Sequence, residues 1–69
     1  MNEIEKIKQE LNVLAEKDFY LEMVDRWEER HYKLSQEYHK GIKELIKELE
    51  EYGITTEYNL GYEFEYRRI

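Results

Sequence analysis

The side chains able to do chemistry fall into a few small sets. Glu28 and His31 stand three positions apart, and His39 follows eight further on. On a helix, E-x-x-H is the step by which dinuclear carboxylate proteins hold metal, but such a site needs two of these motifs and two more Glu from a four-helix core. This chain has one motif, no clear inward Glu on its first apolar stretch, and no Cys. No metal and no cofactor is therefore expected. Glu57, Glu63 and Glu65 share the polar side of an alternating segment near the C-terminus. Paired carboxylates can hydrolyse glycosides only in a cleft that pushes their proton affinities apart. Ser35 has no evident His and Asp partners in nucleophile geometry, and no Gly-rich loop is present to cradle phosphate. Arg67 and Arg68 could clamp a phosphate, but two adjacent basic residues are a weak signal. The chain is expected not to be an enzyme.

Two broader sets suit recognition instead. Seven Tyr, two Phe and one Trp are present in only 69 residues. Tyr and Trp are favoured at binding hot spots, and Tyr20, Trp27, Tyr38, Tyr52, Tyr58, Tyr62 and Tyr66 are the expected partner-binding residues. Acidic side chains crowd the second half: from 42 to 66 there are seven acids and two bases. Glu44, Glu48, Glu51, Glu57, Glu63 and Glu65 form an acidic surface that could imitate a run of phosphates. Along it, Glu44–Lys47 and Lys47–Glu51 have the spacing of helix-surface ion pairs.

Apolar periodicity sets the elements that carry these groups. Ile4, Ile7, Leu11 and Leu14 make one helical stripe, with Asn2 as N-cap and Glu3 and Glu5 favourably placed in the first turn. Continued in register, that stripe meets Asp18, Asp25 and Glu28, and only Leu21 is apolar. A new stripe starts at Tyr20 and runs through Met23, Val24, Trp27, His31, Leu34, Tyr38, Ile42, Leu45 and Leu49 to Tyr52. Its rows repeat every eleven residues, close to the natural helical period. A short helix over 3–16, a tight break at 16–18 with Asp18 as the next N-cap, and a long helix over 18–52 account for both stripes; one bent helix is the alternative. Gly41 is a weak point in that long helix. Gly53 suits the left-handed position past its end. From Ile54 the period becomes two. With a turn at Asn59-Leu60-Gly61, Tyr58 faces Tyr62, Thr56 faces Phe64 and Ile54 faces Tyr66; one edge strand completed by a partner is the alternative.

Within the second helix, Leu34-Ser35-Gln36-Glu37 resembles the Ser-Gln-Glu-Leu-Asp signature of small helical-hairpin phosphatases acting on sporulation response regulators. Tyr38 stands where that family has Leu, and His39 where it has the Asp that carries its activity. That activity does not carry over to this chain.

Length and composition bound the rest. Sixty-nine residues make one small domain, over 1–69, without Cys or Pro. A chain this short buries only about 60% of its unfolded surface. Without disulfides or metal, it needs very regular helices or self-association. The expected architecture is mainly α: an antiparallel helical hairpin and a C-terminal β-hairpin or edge strand over 54–68, assembled as a homodimer that covers the aromatic stripe. No apolar run reaches the ~20 residues of a membrane span. The N-terminus lacks the blocks of a signal peptide, so a cytoplasmic location and no membrane partner are expected. A net charge of −6 argues against direct nucleic-acid binding. A small acidic protein-binding regulator or inhibitor, similar in style to accessory proteins of phages and mobile elements, is the leading expectation. A nucleic-acid mimic of the anti-restriction or anti-CRISPR kind, using the 44–65 surface, is one alternative, and a ligand-sequestering protein with its site at a dimer interface is the other.

Overall fold

The computed structural model describes residues 2–59 and 63–69, with the backbone alone described at 58, 59 and 63. Two helices, α1 (Glu3–Glu22) and α2 (Glu29–Glu51), are followed by a two-stranded antiparallel sheet of β1 (Ile54–Asn59) and β2 (Glu63–Arg68). The chain is mainly helical, as the periodicity implies.

The start of α1 follows its sequence signals. Asn2 Oδ1 accepts the Ile4 backbone N–H at 3.1 Å, which satisfies a donor that the helix cannot. The end of α1 lies elsewhere than expected. The helix runs through 16–18 without interruption, and the break falls at 23–28. The long helix over 18–52 is therefore 23 residues instead, beginning at Glu29. Asp18 explains the difference. It is not an N-cap but the next in-register position of the Ile4–Ile7–Leu11–Leu14 stripe, and it is 3% exposed. A charged residue on a helix's inner face reads as the end of an apolar stripe, although the backbone continues. Tyr20, Met23, Val24 and Trp27 consequently do not belong to α2; only His31 onwards of the second stripe lies there.

Gly41 sits inside α2 without ending it. A Cβ there would come within 3.0 Å of Leu14 Cδ1, so glycine marks a close approach of the two helices. Gly53 has φ +80 and closes α2, its N–H donating to the Glu50 carbonyl at 3.0 Å. Its own carbonyl accepts from Ile69 N–H at 2.9 Å, which joins the helix end to the last residue of the chain.

In the sheet, Tyr58 pairs with Phe64, Thr56 with Tyr66 and Ile54 with Arg68. Each is two positions away from the expected register. A slip of two leaves every side chain on its expected face, because the strand period is two; the slip cost the pairing and not the core. Asn59 is paired with Glu63 and so belongs to the strand; the rest of the turn expected at 59–61 falls on residues outside those described.

Ile7, Leu11, Ile42 and Leu49 form the buried cluster, with Ile4, Leu14, Leu45, Ile46, Ile54, Phe64 and Tyr66 packed around it. All three layers thus share one core. The sheet also reaches α1, where Lys8 Nζ lies 4.6 Å from the Tyr66 ring centre; it does not simply continue beyond the first helix along the second. Leu11 and Leu49 are the largest fully enclosed side chains, each contributing roughly 2 kcal/mol by transfer from water.

Candidate functional site

The connection between the helices is held from both sides. Trp27 Nε1–H donates to the Leu21 carbonyl at 3.1 Å; the Val24 N–H donates to the same oxygen, also at 3.1 Å. The indole is thus a second donor to a carbonyl in the last turn of α1. Trp27 packs edge-to-face on Tyr32, with ring centres 5.1 Å apart and planes at 74°, a favoured aromatic geometry. On the other side, the Glu28 backbone N–H donates to His31 Nδ1 at 2.8 Å. The E-x-x-H spacing is thus used as a reciprocal helix cap. Glu28 Oε2 lies 3.4 Å from Arg30. Among the described residues, no group of three His, Cys, Asp or Glu is placed to hold a metal ion.

With its ends held, this connection presents apolar surface. The exposed large hydrophobic residues described are Val13, Phe19, Tyr20, Met23, Val24, Tyr32, Tyr52 and Ile69. Five of the eight, Phe19 to Val24 plus Tyr32, belong to the end of α1 and the start of α2, so the apolar exposure is concentrated rather than scattered. Met23 is 64% exposed and Tyr20 61%. Phe19 and Tyr20 meet edge-to-face at 5.9 Å.

Beside this end lies the Asp18 carboxylate. His39 Nε2, across on α2, is 3.3 Å from Asp18 Oδ1. The two are close enough for charge attraction but not aligned for a hydrogen bond, and among the described residues that oxygen has no hydrogen-bond partner. His39, the position at which the sporulation phosphatases carry Asp, is therefore turned to an acid of α1.

Among the described residues, the expected aromatic positions are spread along the molecule. Tyr20 and Trp27 lie at the connection; Tyr52 lies at the far end of α2, a helix about 34 Å long. Tyr38 is half-buried on α2, and Tyr66 is half-buried on the inner face of the sheet, stacked with Phe64 at 6.5 Å. Tyr62 and the Tyr58 side chain lie outside the described residues. Sequence reading missed Phe19, which no stripe includes, and Tyr32, which lies beside the inner row of α2 rather than on it; only adjacency to other aromatics could have flagged them.

Tyr66 is an ionisable group that its environment shifts. Burial, and then the Glu5 carboxylate, raise its phenol above the ordinary value of 10.0. The hydroxyl is buried without a hydrogen-bond partner among the described residues, as is Thr56 Oγ1 directly across the strand pair.

The acidic surface is partly neutralised. Glu57 and Glu65 face each other across the strands, an unfavourable like-charge pair. Arg67 relieves it, 3.9 Å from Glu57 and 3.7 Å from Glu65. Arg68 is the next strand residue and points to the opposite face, so the two Arg do not make a joint phosphate clamp. Glu44, Glu48 and Glu51 are exposed on α2, and among the described residues neither Glu44–Lys47 nor Lys47–Glu51 is an ion pair. The Glu63 side chain lies outside the described residues. Glu57 and Glu65 are both exposed.

No protein-family model matches the chain, nor does any curated protein or solved structure. Among the described residues, no helix is long and apolar enough to cross a membrane.

Proposed function

We propose that this chain is a small non-enzymatic protein-binding regulator or inhibitor that docks a protein partner through the apolar end formed by Phe19, Met23, Val24 and Tyr32 around Trp27. The observation that carries the reading is the concentration of exposed aromatic and Met side chains on a connection whose backbone is tied down at Leu21 and His31. Large apolar side chains on a pre-organised backbone bind with little ordering cost, and Met adapts its shape to a partner. In this reading the two helices form an antiparallel hairpin. The order of contacts supports that: Asp18 meets His39 and Leu14 meets Gly41, so that advancing α2 positions meet receding α1 positions. The sheet serves mainly to close the core. A cytoplasmic location fits a Cys-free chain. The nucleic-acid mimic gains no specific support, since Arg67 bridges two of its carboxylates.

The test is affinity capture from a host lysate with the native chain and with Met23→Glu and Tyr32→Glu. Both side chains are exposed, so circular dichroism should be unchanged. A protein held by the native chain and lost by both variants is the expected result. A captured set identical for all three would sink the reading.

A further inference from the structure

A different face of α1 carries a separate interaction. We infer that the row Lys6, Val13 and Tyr20 is a two-fold self-association surface, on which α1 of a second copy lies antiparallel. The three residues are seven apart, a spacing that drifts only ~20° around a helix per step, so they form one nearly straight line. All three are exposed; Val13 is 51% and Tyr20 61% exposed. Beside them runs an open groove of about 520 Å³ between the helices, lined by Lys6, Gln9, Glu10, Val13, Leu14 and Leu45. The Leu14–Gly41 approach closes the helix pair behind it.

The identity of the occupant follows from the charges. In a two-fold antiparallel pairing centred on Val13, Val13 meets its own copy. Lys6 lies over Tyr20 of the second copy, a cation facing an aromatic ring. On the groove flank, Glu10 meets Lys17 of the second copy; on the other flank, Gln9 meets Glu16. Symmetry makes every contact except the Val13 pair twice, and none of these pairs sets like charges against each other. Lys6, Glu10, Glu16 and Lys17 are exposed and, among the described residues, are not engaged in any ion pair of their own chain. A surface that complements its own image is what an isologous interface requires. A single helix-on-helix contact is smaller than the ~1,200 Å² lower bound of standard interfaces, so the association is weak and concentration-dependent.

This proposal is independent of the docking surface above, which does not use Val13, Glu10 or Lys17. Sedimentation equilibrium from micromolar to submillimolar concentration tests it. The native chain should move from 8.7 kDa toward twice that mass. Val13→Glu should remain monomeric. Glu10→Lys alone and Lys17→Glu alone should each weaken association roughly tenfold, because each replaces two attractive contacts with two repulsive ones. The double variant, Glu10→Lys with Lys17→Glu, should restore it. A native chain that stays monomeric throughout, a Val13→Glu chain that still dimerises, or a double swap no better than its single variants would each overturn the inference.

Discussion

A carboxylate on the inner face of a helix costs free energy unless something pairs with it. Asp18 is 3% exposed, and His39 beside it is itself 55% exposed. The pair is therefore half in water and weakly stabilising at best. Replacing Asp18 with Leu would complete the Ile7–Leu11–Leu14 stripe and should raise stability by about 1–3 kcal/mol in urea unfolding. Replacing His39 alone, by His39→Ala, should lower stability by less than about 1 kcal/mol. A destabilised Asp18→Leu chain would mean that the carboxylate holds something more than His39.

Tyr66 gives a second prediction at the same scale. Its phenol is raised by burial and by Glu5, so above pH 10 the unfolded chain releases this proton before the folded chain does. In that window the folded form binds more protons, and stability falls as pH rises; below it, the contribution is constant. Alkaline titration of tyrosinate absorbance should show a late-ionising component that is lost in Tyr66→Phe. The same variant should fold at least as stably at neutral pH, because it removes a buried hydroxyl without a partner. Full ionisation of every described Tyr near its ordinary value would contradict this.

At the scale of elements, the helix–helix connection depends on Trp27. Its indole N–H is one of two donors to the Leu21 carbonyl. Trp27→Phe keeps a ring against Tyr32 but removes the donor, and should cost about 1 kcal/mol. The loss should be local: amide exchange should quicken in the last turn of α1 and stay unchanged in the sheet. Faster exchange across both strands instead would show that the connection supports the whole core. α2, by contrast, is closed by Gly53, where a positive φ makes glycine the residue of choice.

For the whole molecule, the radius of gyration is 13.0 Å, with extents of 39 × 20 × 20 Å; a compact chain of this length would have about 11 Å. An elongated body has much surface for its core, which is why so few side chains are fully enclosed. Self-association along α1 would therefore matter to stability as well as to assembly. Because a dimer favours the folded state by mass action, the thermal midpoint of the native chain should rise with concentration, and that of Val13→Glu should not.

Local patterns sufficed for much of this fold. Asn2, the Ile4–Leu14 stripe, the inner row from His31 to Leu49, Gly53 and the switch to alternation at Ile54 each follow from a periodicity or a backbone preference within a few residues. The helix break, the strand register and the exposed aromatic end did not. Asp18 breaks an apolar stripe without breaking a helix, and only the packed partner helix reveals that. A two-residue slip in the sheet keeps the same faces, so hydrophobic alternation alone cannot choose between registers. The exposed aromatics gather where two chain segments meet, and which side chains remain uncovered depends on contacts between residues far apart in sequence.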